Sequence, residues 1–396
     1  MITGSMPASP YQDLTMLTRF YMFVGVTVYV TAFILVGTHF ANAAMSKQEQ
    51  QSLLSYVDEW AAAENFNGVI AIRCGKGPLL TAVFGIASAE TKRPLTRDTV
   101  FQTGSIDKWF ASIAIFSLIE DELVSLHEPI GTYTDDLSED IGDQVSLHHL
   151  MTNRSGLSDS SLRAAMGAYI GAKMSGQPPE SALPTTLGTG IRQLIPDTLG
   201  FEPGSQFDYV NANWMVVRHI IEEVTGKTYE SAIKERVFDP AGMTQSGFFV
   251  DDLLTFDGSE TSAAIGFRDA SEGFPGDYPL PAFLGGGTYT TVADIAALQQ
   301  SLDDGESLSP MTIELFRTVT TEDEDYAYGG YLVTSGEQRY SWQSGSNGAT
   351  NVVSIHAIDG DFTFVAASNT GHSQDTMFAL GKALEAGEAL AEASSP

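Results

Sequence analysis

The sequence predicts an α+β fold: an antiparallel sheet flanked by helices and built from both chain ends, with a mainly helical lobe inserted between them. Three observations carry this expectation. Strand-like stretches gather near residues 68–84 and again over 329–368, with a long block of helices and loops between them. No repeat and no low-complexity linker interrupts residues 50–385. Hydrophobic residues form 43% of the 396, so a core of ordinary size can be buried despite a net charge of −30.

Taken in order, residues 47–64 read as an amphipathic helix, because Leu53, Leu54, Val57 and Trp60 recur at helical spacing. A hairpin follows: a strand over 68–72, a turn at Gly75-Lys76-Gly77-Pro78, and a second strand over 79–84. A helix starting near Ser105 carries Trp109, Ile113, Ile115, Phe116 and Ile119. Residues 125–200 alternate short helical stretches with loops rich in Ser, Thr, Gly and Pro. Residues 212–236 read as one long helix with Trp214, Val217, Ile220, Ile221 and Val224 on a common face. Strands are expected at 329–334, 338–343, 351–358 and 362–368, then a closing helix from Thr376. The folded domain therefore covers 44–390, with the helical lobe over about 105–280 and a frayed tail at 391–396. A cleft between lobe and sheet is the default place for a site.

The charge excludes one class of partner. With 50 acidic against 20 basic side chains, the chain lacks the clustered cations that binding a nucleic acid requires. The same acidity fits a solvated surface at ordinary salt or adaptation to salty surroundings, and both readings stay open. Cys74 is the single cysteine, which excludes an internal disulfide and Cys-cluster zinc or iron–sulfur sites.

The N-terminus carries an address. The apolar run over 20–37 follows Arg19 and leads into Ala41-Asn42-Ala43, the order of a secretory signal cleaved after Ala43. Met16-Leu17-Thr18-Arg19 makes a more typical signal start, so residues 1–15 read as an extended start. The expected location is periplasmic or secreted. An uncleaved run of about 18 apolar residues would nearly suffice as a membrane anchor. Removing 1–43 takes away Asp13 and Arg19, leaving the charge at −30.

Generic catalytic signals are mostly missing. No G-x-S-x-G occurs; Gly226-Lys227-Thr228 lacks the first Gly of a phosphate loop, Ile221 standing in its place; Gly285-Gly286-Gly287 lacks the Lys. His148 and His149 are adjacent and so face different ways on a helix, and no metal or cofactor is expected. One pattern stands out: Ser-x-x-Lys, whose i, i+3 spacing puts both side chains on one helix face, within reach of each other. It occurs twice. Ser105-Ile106-Asp107-Lys108 opens an apolar helix, where free N–H groups at the N-terminus can stabilise an oxyanion. Ser231-Ala232-Ile233-Lys234 lies in the charged stretch 230–236 and reads as a solvated face. Tyr209-Val210-Asn211, after Pro203-Gly204-Ser205, adds a phenol able to move a proton and an amide able to orient a carbonyl.

In these motifs the chain resembles the serine hydrolases related to class C β-lactamases, a family that includes D-Ala-D-Ala carboxypeptidases, D-stereospecific aminopeptidases and lactamase-like esterases. Ser146-Leu147-His148-His149-Leu150-Met151-Thr152-Asn153-Arg154-Ser155-Gly156-Leu157 is similar to a family segment in which His is usual at the Asn153 position. Pro240-Ala241-Gly242-Met243 and the stretch from Gly285 to Asp294 resemble two more family segments. The resemblance implies a β-lactamase/transpeptidase-like fold, with Ser105 as acylated nucleophile and Lys108 and Tyr209 sharing the base and acid roles. Asn211 would orient the substrate amide or the lysine. The third family motif, a cation, a small residue and Gly on a cleft strand, falls on Gln343-Ser344-Gly345, and the N–H groups of Ser105 and Ser346 would form the oxyanion hole. Gln343 offers a neutral hydrogen bond of about 1 kcal/mol in place of a charged one of roughly 1.5–3 kcal/mol. A substrate carboxylate thus loses its anchor unless Arg339 or Lys227 reaches the site. Asp107, unusual within the motif, reads as a first-turn helix charge. The implied partner is a small ester, amide or β-lactam. An ester or small-amide hydrolase is the leading expectation. A β-lactamase or D-Ala-D-Ala carboxypeptidase, and a non-catalytic binding module on the same fold, are the alternatives.

Overall fold

The computed structural model describes residues 45–175, 184, 186–250, 253–254, 263–264, 266–267, 287–318, 325–358 and 360–387. The expected signal run, its cleavage site and the tail at 391–396 lie outside them. Among the described residues no helix is long and apolar enough to cross a membrane.

Helix α1 (Lys47–Ala63) starts at Ser46, whose side chain and that of Glu49 form a reciprocal capping box. The hairpin β1 (Gly68–Cys74) and β2 (Leu80–Phe84) follows, then the two-residue β3 (Phe101–Gln102). A 3₁₀ turn at Gly104–Ile106 feeds α2 (Asp107–Glu120), a helix apolar nearly all round and accordingly buried at its centre. The lobe continues with α3 (Glu139–Gln144), α4 (Leu147–Met151), α5 (Ser160–Met174), α6 (Leu187–Leu194), α7 (Asn211–Thr225) and α8 (Tyr229–Ile233). Then come β4 (Gly247–Val250), β5 (Leu253–Leu254), β6 (Thr288–Thr290), α9 (Val292–Asp303) and α10 (Pro310–Phe316). The chain ends in β7 (Tyr331–Ser335), β8 (Gln338–Asn347), β9 (Thr350–Ala357), β10 (Phe362–Ser368) and α11 (Gln374–Glu385).

Six strands form the main sheet in the order β2-β1-β10-β9-β8-β7, every neighbour antiparallel. Both chain ends thus meet in one sheet, with Gly68 opposite Ser368 and Cys74 opposite Phe362. Alternation sorts its two faces. Ile70, Ile72, Val353, Ile355 and Phe364 pack against Leu53 and Val57 of α1 and Met377 and Leu380 of α11. Val69, Ala71, Val352, Val365 and Ala367 join the larger core with α2, α7 and α9. A second small sheet, β3-β6-β4-β5, has strands of two to four residues, too short to show a period in the sequence.

One expectation needs correction. The helix expected over 212–236 stops at Thr225, because Gly226 adopts a left-handed φ of 65° and ends α7. Thr228 then caps α8, which runs into a π turn at Lys234–Phe238. The segment between β2 and β7 also carries helices beyond 280: α9 lies against β1, β9 and β10.

Candidate active site

Ser105 sits in the 3₁₀ turn at the mouth of α2, and Lys108 lies one turn on, 2% exposed. Lys108 Nζ donates to Ser105 Oγ at 3.1 Å. The same ammonium nitrogen is 5.1 Å from the ring centroid of Tyr209. Two parts of the sequence about a hundred residues apart therefore converge on one lysine nitrogen.

Strand β8 runs hard against this turn. A Cβ on Gly345 would lie 1.8 Å from the Thr103 carbonyl oxygen and 2.9 Å from Ser105 N. Gly104, at a φ of 55°, has Ser346 N 2.6 Å from where its own Cβ would be. Only glycine at both positions lets the backbones touch, and that contact lays strand β8 at Ser346 against the turn that carries Ser105. Beside them opens a cleft of about 230 Å³ lined by Ser105, Tyr209, Ser344, Gly345 and Ser346. Tyr326, Gly329, Gly330, Tyr331 and Gln374 complete the lining, so none of the described lining residues carries a charge.

Tyr209 is held by its neighbours in the chain. Gly204 N donates to Arg154 O and Asp208 N to Asn153 O, both at 2.8 Å. Asp159 caps α7, accepting from Asn211 N at 2.9 Å and Ala212 N at 2.7 Å. Asn153 has a left-handed φ of 55°, which Asn tolerates, and its Oδ1 accepts from Asn213 and Trp214 at 3.2 and 3.3 Å. Tyr326 packs edge-on against Tyr209 at 6.2 Å and against Tyr331 at 5.0 Å. Burial, reinforced by those two phenols, keeps its hydroxyl protonated far above the ordinary phenol range.

The structure thus brings together Ser105, Lys108, Tyr209, Ser344, Gly345 and Ser346. Asn211 and Gln343 do not line the cleft. Asn211 offers its backbone N–H to Asp159, and its side chain is half-buried. Gln343 shares the inward face of β8 with Gly345, is 3% exposed, accepts from Gln299 Nε2 at 2.8 Å and donates to Ser341 Oγ at 2.7 Å. Its amide is engaged beneath the cleft, so the expectation that it presents a hydrogen bond to substrate is corrected. Neither possible substitute cation reaches the lining: Lys227 pairs with Glu235, and Arg339 lies 3.9 Å from Glu314. Asp107 is no surface charge; it is 1% exposed and paired with Arg218. His148 and His149 diverge as expected, His148 Nδ1 sharing a hydrogen bond with the Tyr328 hydroxyl at 3.0 Å and His149 Nδ1 accepting from Ser146 N at 3.3 Å. Sequence reasoning missed Asp159, Tyr326 and Gln374. Asp159 has the residue type of a helix cap, but the helix it caps begins some fifty residues later.

The family model described as Beta-lactamase matches residues 55–388. The chain belongs to the beta-lactamase family. Within this beta-lactamase family it is 27% identical over 350 residues to a D-aminopeptidase of Brucella anthropi, covering 85% of this chain and 62% of that protein. The chain thus spans about three-fifths of that relative's length. It is 26% identical over 272 residues to esterase EstB of Burkholderia gladioli, covering 62% of this chain and 68% of the esterase. In structure it is similar to a penicillin-binding protein from Bacillus halodurans, with a TM-score of 0.69, 23% identity, and coverage of 83% of this chain and 99% of the other. D-amino acid amidase from Ochrobactrum anthropi SV3, complexed with L-phenylalanine amide, gives a TM-score of 0.66 at 20% identity, covering 88% of this chain and all of the amidase chain. These structural likenesses show the fold, and the relatives named as D-aminopeptidase and esterase mark the family as one of hydrolases.

Proposed function

We propose that this beta-lactamase family member is a serine hydrolase that cleaves small esters or amides through an acyl-Ser105 intermediate. The single observation that carries the reading is the 3.1 Å contact between Lys108 Nζ and Ser105 Oγ at the edge of a cleft, with Tyr209 against the lysine. In its neutral form Lys108 accepts the hydroxyl proton as Oγ attacks the substrate carbonyl carbon. The negative charge that develops on the carbonyl oxygen is met by the N–H groups of Ser105 and Ser346. Collapse of the tetrahedral adduct breaks the bond to the alcohol or amine, which takes its proton through Tyr209. Water then attacks the acyl-serine and releases the acid.

The uncharged described lining and the buried, neutral Gln343 support neutral or cationic substrates over anionic ones, as does the net charge of −30. The test is hydrolysis of p-nitrophenyl acetate together with labelling by a fluorophosphonate. Ser105→Ala is expected to abolish both in folded protein, and turnover surviving that substitution would overturn the reading. A second reading, action on β-lactams or D-Ala-D-Ala peptides, draws support from penicillin-binding protein 4* of Bacillus subtilis, 24% identical over 86% of this chain. Rapid nitrocefin hydrolysis or stable labelling by a fluorescent penicillin would favour it.

A further inference from the structure

Asp107 lies inside the Ser105–Lys108 motif, yet its carboxylate turns away from the cleft into a fully buried cluster. Oδ2 accepts from Arg218 Nη2 and from the Tyr229 hydroxyl, the latter at 3.1 Å, and Oδ1 accepts from Thr288 Oγ1. Asp107, Arg218 and Tyr229 are each 1% exposed and Thr288 is 0% exposed. Thr288 does a second thing. Its carbonyl accepts from Thr103 N at 2.9 Å and from Thr103 Oγ1 at 3.2 Å. One residue of β6 therefore grips both ends of the stretch 103–107, with Ser105 at its centre.

Arg218 extends the grip to the other motif. It sits two turns into α7, the helix that begins directly after Tyr209 and whose first N–H groups are fixed by Asp159. The guanidinium also lies 5.1 Å over the Tyr229 ring from α8. A charged hydrogen bond thus links the helix behind Tyr209 to the residue beside Lys108.

We infer that Asp107, Arg218 and Thr288 form a positioning clamp that holds Ser105 and Lys108 in register with Tyr209; this rests on the acyl-serine reading above. Stability alone is a poor reason for such a pair. Two charges taken wholly out of water lose hydration that their attraction does not always repay, and an apolar pair of similar volume often does as well or better. A carboxylate held by three named donors, one of them charged, supplies direction, which apolar contact does not. The clamp is also neutral as a unit, so Lys108, one residue from Asp107, sees neither a bare anion nor a bare cation. The polar groups placed against Lys108 are Ser105 and Tyr209, and those placed against Asp107 are Arg218 from α7, Tyr229 from α8 and Thr288 from β6. His219, next to Arg218, turns instead to Thr134 and Asp136.

The test measures kcat and KM for p-nitrophenyl acetate across pH in the full chain, with active enzyme counted by fluorophosphonate titration. Arg218→Met leaves the carboxylate without its counter-charge, so the acid limb of kcat/KM should move up by about one pH unit. Asp107→Asn leaves the guanidinium bare and should move the limb down by a similar amount. The double variant Asp107→Asn/Arg218→Met is neutral again. Its limb should return to the wild-type position while kcat stays down by roughly tenfold or more and KM changes little. If a single variant fails to fold, the double variant decides alone. Wild-type kcat per titrated site in the double variant, or single variants with an unmoved limb, would overturn the clamp while Ser105→Ala remains inactive. Turnover surviving in Ser105→Ala would instead overturn the hydrolase reading, and the clamp with it.

Discussion

The two Ser-x-x-Lys copies share four-letter spacing and little else. Lys108 is 2% exposed and its nitrogen meets Ser105 Oγ at 3.1 Å. Ser231 and Lys234 are both exposed; Lys234 bonds Asp239 at 2.5 Å, and the Ser231 hydroxyl accepts from Thr228 at 3.1 Å. Helical spacing places a lysine within reach of a serine, but in water the ammonium turns to the nearest carboxylate. What separates the copies is the burial of α2 and the three segments that close over its first turn: β6, β8 and the loop carrying Tyr209.

The sharpest way to break this comparison is to remove each lysine. Lys108→Met is expected to lower kcat/KM for p-nitrophenyl acetate by about 10²–10⁴-fold. Lys234→Met should leave turnover within about twofold and stability within about 0.5 kcal/mol, read by steady-state kinetics and urea unfolding. Equal effects of the two substitutions would erase the distinction.

Two glycines extend the contrast at smaller cost. Gly345→Ala puts a methyl group 1.8 Å from the Thr103 carbonyl, so β8 must move off the Ser105 turn and part the two amides. Turnover should fall by roughly 10²-fold, the scale of losing one oxyanion donor. Gly226 has open space around its Cβ position and needs glycine only for its φ of 65°. Gly226→Ala should cost about 1–2 kcal/mol of stability and leave kcat unchanged.

The last effect concerns burial and titration without catalysis. Burial, helped by His127, His149 and Arg154, pushes His148 down to about 4, while its neighbour His127 is exposed. The unfolded chain takes up a proton on His148 near pH 6.5, and the folded chain does so only near 4. The folded state therefore holds this advantage fully above pH 6.5 and loses it progressively as pH falls toward 4. The melting temperature should drop over that window by less in His148→Gln than in the parent. An identical pH dependence in both would show that this imidazole does not contribute.

Much of the sheet was legible because its strands carry their own period. The strands expected at 351–358 and 362–368 appear as Thr350–Ala357 and Phe362–Ser368, each matching within a residue at either end. The capped helix α1 was legible for the same local reason. The helix expected over 212–236 was misread because the apolar residues on both sides of Gly226 keep helical spacing, while one left-handed residue resets the direction of the chain. Gln343 was misjudged because the face a strand residue takes depends on what packs there. Gly345 sets that face by meeting Thr103, and Gln299 of α9 completes the amide's bonds.

By itself the sequence determined the α+β class, the pairing of both chain ends in one sheet and the two motifs that meet in the cleft. The strands and the Ser-x-x-Lys spacing rest on local periodicity, and the meeting of the two motifs on the resemblance to the family. Only the tertiary structure decided that Asp107 is a buried anion, that Arg218 answers it from 111 residues away, and that Thr288 holds both sides of Ser105. Such pairings leave no local trace, because a carboxylate and a guanidinium look the same in a sequence whether water or the other side chain satisfies them. Desolvation forces the choice, and it exists only once the chain has packed.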